Sequence, residues 1–522
     1  MLYQVYPRSY GDTDADGVGD LAGVIAHLDH LEALGVDGIW LSPVTVSPNA
    51  DWGYDVSDYC AVDPSLGTLD DLDRLVAAAA TRGIRILLDL VPNHTSIEHP
   101  WFVESRSARD AVKRDWYVWA DPAAGGGPPN NWVSSFLGPA WELDETTGQC
   151  YLHNFLPEQP DLNWWNEEVR VEFDRILRFW FDRGVAGFRI DVAHMIVKDA
   201  RLRDNPPTDA HDHWFDQLRG QRQVYNACRP EVHDVYRRWR RITDEYDPPR
   251  LLLGETHIFN AHELAAFYGN GDELHLAFNF PFVHEAFSAP KLRAIVAETE
   301  AVLPAHAWPV WTMSNHDKSR FPTRWCAGDV ARVRCALLLL LTLRGTPVLY
   351  YGDELGLPDT FVPDDRLRDP VTIDLHRVID RDAARTPMPW TGEQGAGFTE
   401  PGVEPWLPFG ALRACNVADQ HADPGSTLWF VRDLVALRRA VADLRAGSYD
   451  DAGSDGDCWT YRRGAGVQVV LNLGDGPVTA PVLVGAGARV AITTDRAGEG
   501  EVVGSSVALA GWRGAVLVRA GH

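Results

Sequence analysis

Short apolar runs alternate with amphipathic stretches along most of the chain, the pattern of strands and helices taken in turn. The runs Leu2–Tyr6, Gly38–Leu41, Ile84–Val91, Gly187–Ile190, Leu251–Gly254, Leu276–Phe280, Val310–Met313 and Val348–Tyr351 read as eight strands. Between the first two, Leu21, Val24, Ile25, Leu28, Leu31 and Leu34 recur at the helical period and stop at Gly35. Val169, Phe173, Ile176, Leu177, Trp180 and Phe181 do the same and stop at Gly184. Eight strands alternating with helices predict an α/β fold, a parallel (β/α)8 barrel of the TIM type.

Two stretches leave this alternation. From Ser96 to about Asn163 the chain is irregular and rich in Pro, Gly, Trp and Asn, and no helix of useful length fits. It reads as an excursion inserted after the third strand. Beyond about Tyr449, Trp459–Arg462, Val467–Leu471, Val482–Val484, Arg489–Thr494 and Ala515–Val518 read as short strands with glycine turns. The expected division is a barrel over 1–95 and 164–448, an excursion domain over 96–163 and a C-terminal antiparallel β domain over 449–522.

Composition narrows the function. With 45% hydrophobic, 10% aromatic and 23% charged residues in 522, the chain is globular with a large core, which excludes disordered and fibrous classes. A net charge of −26 repels nucleic acid and anionic lipid and disfavours a polyanionic substrate, so a small neutral ligand is expected. Cys60, Cys150, Cys228, Cys326, Cys335, Cys415 and Cys458 are odd in number and form no Cys-x-x-Cys pair. They read as free thiols of a reducing compartment. No basic region followed by an apolar run marks a signal peptide, and Ala336–Leu343 is too short to span a bilayer. A cytoplasmic location without a membrane partner is the expectation.

In a parallel barrel the βα loops converge on one mouth, at the C-terminal ends of the strands. Those ends are unusually polar here. The third strand carries Asp89 and leads to Pro92-Asn-His94, and the fourth is Gly187-Phe-Arg-Ile-Asp191. The fifth ends Gly254-Glu255, the seventh Ser314-Asn-His-Asp317, and the eighth leads into Gly352-Asp-Glu354. A capping role or structural ion pair explains any one of these; it does not explain five.

Arg189 and Asp191 are two apart and share a face, where an arginine keeps a carboxylate ionised and suits it to be a nucleophile. Glu255 follows the apolar Leu251-Leu-Leu253, surroundings that raise a carboxyl's pKa and suit a general acid. Two carboxylates so tuned, about 5–5.5 Å apart, are what a retaining glycosidase needs. Asp317 beside His316 offers a third, to hold the sugar and stabilise positive charge.

Asp89-Leu-Val-Pro-Asn-His94, Gly187-Phe-Arg-Ile-Asp191, Gly254-Glu255 and Asn315-His-Asp317 resemble, in this order, the four signature regions of the α-amylase superfamily, glycoside hydrolase family 13. Gln159-Pro-Asp-Leu-Asn163 and Arg381-Asp-Ala-Ala-Arg-Thr-Pro-Met388 resemble its α-glucosidase and oligo-1,6-glucosidase branch. The resemblance implies Asp191 as nucleophile, Glu255 as acid/base and Asp317 as transition-state stabiliser. It implies further that Asp51, Tyr54, His94, Arg189, His316 and Arg381 line the subsite for the non-reducing glucose. The activity implied is exo-hydrolysis of α-1,4 or α-1,6 linkages in short α-glucosides, and Val192 after the nucleophile leans toward α-1,6. The same triad also serves transglucosylases and isomerases that make trehalose from maltose. A non-catalytic relative would be expected to lose carboxylates that this chain keeps.

Near the N-terminus, Asp12-Thr-Asp14-Ala-Asp16-Gly-Val18-Gly-Asp20 resembles the start of a calcium loop, with acidic residues at alternate positions. Gly23 at loop position twelve excludes an EF-hand. Relatives in the glucosidase branch hold Ca²⁺ or Mg²⁺ in a similar loop. By that resemblance Asp12, Asp14, Asp16, the Val18 carbonyl and Asp20 would hold a structural ion. The loop Arg201–Pro207 with His211 and His213 reads either as part of the aglycone side or as a plain surface loop.

Overall fold

The computed structural model describes residues 1–374, 380–485 and 487–521. Its centre is the expected barrel. The strands are β1 (Leu2–Val5), β2 (Gly38–Leu41), β3 (Arg85–Leu90), β4 (Gly187–Ile190), β5 (Leu251–Gly254), β6 (Leu276–Ala277), β7 (Val310–Thr312) and β8 (Thr346–Tyr350). They pair in parallel in the order β6-β5-β4-β3-β2-β1-β8-β7, and a parallel bridge from Phe278 to Val310 closes the ring. Gly187 registers with both Leu87 and Leu251. A Cβ there would stand 2.4 Å from the Leu251 carbonyl oxygen, so only glycine lets β4 pair with β5 at this point.

The sixth strand is shorter than its apolar run, because Asn279 accepts from the Phe282 N–H and caps a helix over Phe280–His284. The helical pattern of residues 21–34 is two helices, Leu21–Ala26 and Leu28–Leu34, broken at His27. The second ends at Gly35 in the left-handed region (φ 81°), as its position suggests. Glu167–Asp182 buries all six of the apolar residues picked out by their spacing. Helix Val330–Thr342 contains most of the apolar stretch; Cys335 to Thr342 are all buried. Among the described residues no helix is long and apolar enough to cross a membrane.

The irregular stretch after β3 contains more order than its composition suggests. It holds only a six-residue α-helix, Pro100–Ser105, but a three-stranded sheet joins Trp119–Ala120, Gln149–Leu152 and Trp141–Asp144. Beyond residue 449, five antiparallel strands run in the order Tyr449–Asp455, Cys458–Arg463, Val467–Asn472, Arg513–Val518, Arg489–Thr493. The strand expected at Val482–Val484 is not one. Val478–Pro481 pairs instead with Ser506–Leu509, and Gln468 holds the following turn through Pro481 O and the Leu483 N–H. This sheet docks on the C-terminal end of Val330–Thr342: Tyr461 Oη lies 2.6 Å from Thr342 Oγ1, and Arg463 donates to Thr342 O at 2.6 Å.

Candidate active site

Side chains along a barrel strand alternate between the interior and the helix layer. The interior begins apolar: Leu2, Trp40, Leu87, Leu253, Val310 and Val348 pack as one cluster. Two residues further along, the same face turns polar and stays buried, with Gln4, Ser42, Asp89 and Thr312. On β4 Gly187 takes the apolar layer's place, so Arg189 and then Asp191 point inward. On β5 the same step leads from Leu253 to Glu255.

Arg189 is the junction of this layer. Its Nη1 donates to Asp89 Oδ1 at 2.7 Å and to Asp191 Oδ1 at 2.8 Å, and its Nη2 lies 2.6 Å from Glu255 Oε2. Carboxylates from three neighbouring strands thus meet on one guanidinium that is 1% exposed. The rings of Trp40 and Tyr54 flank it at 5.0 and 5.7 Å, within cation–π range. Trp40 Nε1 and Tyr54 Oη also donate to Asp89 Oδ2, at 3.1 and 3.0 Å. Val192, next after Asp191, has φ 35°, a strained value for a β-branched residue. That turn aims its N–H at Glu255 Oε2, 2.9 Å away.

A second junction holds Asp317. Arg385 donates to its Oδ1 at 2.9 Å and Arg381 at 3.3 Å. Arg381 also donates to Asp51 Oδ1 at 2.7 Å and grips the buried Asp369. Arg385 further donates to the His316 carbonyl at 2.7 Å. His316 stacks on Tyr54 with ring centroids 5.3 Å apart, its Nε2 2.6 Å from Tyr54 Oη and 3.2 Å from Asp317 Oδ2.

Asp51, Tyr54, His94, Asp191, Glu255, Asp317 and Arg381 line one cavity of about 510 Å³. Arg189 and His316 are buried beside it and absent from its lining. They orient the groups that line it. Sequence reasoning missed Asp369, whose only signal is its place between Arg368 and Pro370. It also missed the partnership of Lys198 with Asp161. Lys198 Nζ lies 2.7 Å from Asp161 Oδ2 and donates to Asn93 Oδ1 at 2.6 Å. Asp161 in turn accepts from Asn93 Nδ2 and from Asn154 Nδ2. Through this buried pair the loop after β4 and the end of the excursion are fixed together beside His94. Gln159 braces the wall from behind, donating to Asp51 Oδ2 at 3.2 Å.

A profile of the alpha amylase catalytic domain matches residues 4–447. The chain belongs to the α-amylase family. Its branch is that of the α-glucosidases and oligo-1,6-glucosidases. It is 40% identical over 486 residues to a probable alpha-glucosidase of Rhizobium meliloti, covering 91% of this chain and 88% of that one. It is 37% identical to an oligo-1,6-glucosidase of Heyndrickxia coagulans, covering 86% of each. Among solved structures it resembles the alpha-glucosyl transfer enzyme XgtA, with a TM-score of 0.93 at 40% identity, covering 99% of this chain and 98% of that one. The chain is a glycoside hydrolase.

In this α-amylase-family site the two junctions are charged differently. Burial is the largest influence on Asp191 and raises its carboxyl well above the ordinary range; Arg189 pulls it down, and Glu255, Asp89 and Asp317 push it further up. Asp89 is raised to about 6 by burial, against Arg189 and Tyr54. Arg189 acts on Asp191 in the expected direction, but it is opposed by burial and by the neighbouring carboxylates. One guanidinium is shared among three carboxylates, so its pull on Asp191 is outweighed by burial and by the acidic neighbours. Burial presses upward on Asp317 as well, but His316, Arg381 and Arg385 outweigh it and hold the carboxyl well below the usual range. Burial drives His316 down to about 3, so at neutral pH the arginines supply the charge.

Far from the cavity in sequence, Asp12, Asp14 and Asp20 offer carboxylate oxygens all within 4.8 Å of one another. The loop is tightly wound, with Ala15 and Gly17 at φ 64° and 90°. Asp12 Oδ1 accepts from the Ala15 N–H, and Asp20 Oδ2 from the Thr13 N–H and hydroxyl. An all-oxygen set of convergent carboxylates fits a hard divalent cation. Asp16 is exposed, stands outside this group of three, and accepts from the Val18 N–H at 2.7 Å.

Arg189→Lys keeps the charge and removes the fork. Misplacing a reacting group by an ångström costs on the order of 100-fold, so kcat/KM for a cleavable glycoside is expected to fall at least that far. Steady-state kinetics on the purified variant, with its circular dichroism matched to the parent, make the check. Near-parental kcat/KM would contradict the bridging role.

Proposed function

We propose that the chain is a retaining, exo-acting α-glucosidase of short α-glucosides. The observation that supports this most is the arrangement around Arg189: Asp191 and Glu255 are held by one guanidinium at the barrel mouth, with Asp317 fixed opposite by two arginines. In this reading Asp191 attacks the anomeric carbon while Glu255 gives its proton to the glycosidic oxygen, and the aglycone leaves as an alcohol. Glu255 then takes a proton from water, which breaks the glucosyl–Asp191 ester. Two inversions return the α anomer. Asp317, kept anionic, stabilises the positive charge that develops at the anomeric centre. The linked wall of Asp51 and Arg381, braced by Gln159, closes the glucose end, which favours attack on terminal residues.

Transfer to a second sugar is the competing reading, favoured by the likeness to the alpha-glucosyl transfer enzyme. It uses the same intermediate, intercepted by a sugar hydroxyl in place of water. Val192 lines the cavity and shapes the leaving-group side, so either α-1,4 or α-1,6 linkages fit the proposal. All seven cysteines are free, in keeping with the proposed cytoplasmic setting. The acidic loop, by the same proposal, holds Ca²⁺ or Mg²⁺ through Asp12, Asp14 and Asp20, with Asp16 and Val18 alongside. The ion's role is to brace the loop after β1.

Proton NMR with maltose, isomaltose and trehalose in separate tubes tests the reaction. Early α-glucose from maltose or isomaltose is expected, the faster tube naming the linkage. Trehalose or longer sugars accumulating with little glucose would move the assignment to isomerase or transferase, and initial β-glucose would overturn the retaining mechanism. Dialysis against a chelator tests the ion. A cation at 100 times its Kd stabilises by about 2.7 kcal/mol, so its loss should lower the melting temperature of a chain this long by about 2–3 °C, restored by Ca²⁺ or Mg²⁺. An unchanged melting temperature would contradict a structural ion.

A further inference from the structure

The cavity is lined by cations as well as by acids. Asp51, Asp191, Glu255, Asp317 and Arg381 stand where the glucose would sit, and Arg219, Lys318 and Arg324 line the same cavity, on the side this reading gives to the leaving group, with Asp359 and Asp380. Arg219 lies over the Phe215 ring at 4.0 Å, its side chain 5% exposed. Its Nη1 donates to Gln223 Oε1 at 2.9 Å, and its buried Nε has no partner among the described residues. Lys318 directly follows Asp317, and among the described residues its ammonium makes no hydrogen bond or ion pair. Arg324 is anchored by Met313 O at 2.6 Å.

The acidic groups facing these cations are mostly committed elsewhere. Asp317 is taken by Arg381 and Arg385. Asp359 accepts from the Ser319 hydroxyl and from the Arg320 N–H at 2.8 Å, and Asp380 accepts from the Ala383 N–H. Asp216 approaches Arg219 only to 3.7 Å. Between the cations, His257 and His284 touch through their Nε2 atoms at 3.1 Å. Burial, with Lys318 and other neighbouring cations, holds His284 down to about 2 and His257 well below its ordinary value. The wall is therefore a set of cations and neutral imidazoles with donors to spare.

We propose that this end of the cavity is an anion subsite, and that the preferred substrate is an α-glucoside whose aglycone carries a phosphate or carboxylate. The proposal rests on the α-glucosidase reading and refines its substrate. The net charge of −26 opposes a polyanion approaching the whole surface, yet contact inside the cavity is governed by the local pole. A single anion meeting Lys318 and Arg219 forms charge-assisted hydrogen bonds that a neutral sugar cannot.

Two matched pairs test it: maltose against maltose phosphorylated on the 6-hydroxyl of its reducing glucose, and 4-carbamoylphenyl against 4-carboxyphenyl α-glucoside. At low salt, kcat/KM is expected to be at least about tenfold higher for the charged member of one pair, and that pair identifies the anion. Added salt should erode the preference, and Lys318→Met should remove it, as should Arg219→Met if the first variant folds poorly. Equal rates within both pairs, or a preference that both variants retain, would overturn the subsite while leaving the α-glucosidase reading intact. Release of glucose from none of the four would instead sink that reading. The subsite is then decided by calorimetry on Glu255→Gln, where tighter binding of the charged member supports it and equal binding refutes it.

Discussion

A single buried positive charge organises this active site. The Arg189 guanidinium sits at the centre of the barrel's polar layer and meets carboxylates from β3, β4 and the end of β5. An arginine so deeply desolvated needs anionic partners, which its two Nη groups find although its buried Nε has none among the described residues, and three carboxylates so close together are tolerable only around a cation. Each side of that requirement fixes the other. Trp40 and Tyr54 complete the cage, covering the guanidinium while donating to Asp89. Asp191 and Glu255 therefore inherit their positions from strand register, the most rigid feature of the fold.

The other elements extend this logic outward. Arg381 and Arg385 do for Asp317 what Arg189 does for Asp191, with Asp369 anchoring both from behind. The buried Lys198–Asp161 pair ties the excursion to the loop after β4, so that a segment poor in regular structure still presents a fixed wall. Removing one partner of such a pair leaves an uncompensated buried charge, which costs about 3–5 kcal/mol. Polar residues at the strand ends are thus mutually dependent, and the apolar layer beneath them is free to be ordinary packing.

The barrel was legible because its strands are buried on both faces and read as continuous apolar runs. The site was legible because Arg189 and Asp191 sit at the spacing that shares a face, and Asp89 and Glu255 at strand ends. What escaped was long-range or locally weak. Asp369 is a lone acid in a loop, and nothing near it in sequence reveals its hold on Arg381. The strand at Val478–Pro481 was displaced to Val482–Val484 because valine content outweighed the pairing that a distant segment, Ser506–Leu509, supplies. The same limit holds around Asp191: the neighbouring arginine is visible in sequence, but its sharing with Asp89 and Glu255 is not. It also hid the split between groups that line the cavity and those, Arg189 and His316, that are buried beside it.

The central claim is that Asp191, positioned by Arg189, becomes covalently glucosylated. Trapping that ester tests it most directly. The Glu255→Gln protein lacks the base that would release the sugar, and α-glucosyl fluoride needs no acid to depart. Acid quenching, proteolysis and mass spectrometry should then find one glucosyl group on the peptide carrying Asp191, with fragmentation placing it on that carboxylate. A label on any other residue, or fluoride release with no labelled peptide, would contradict the account.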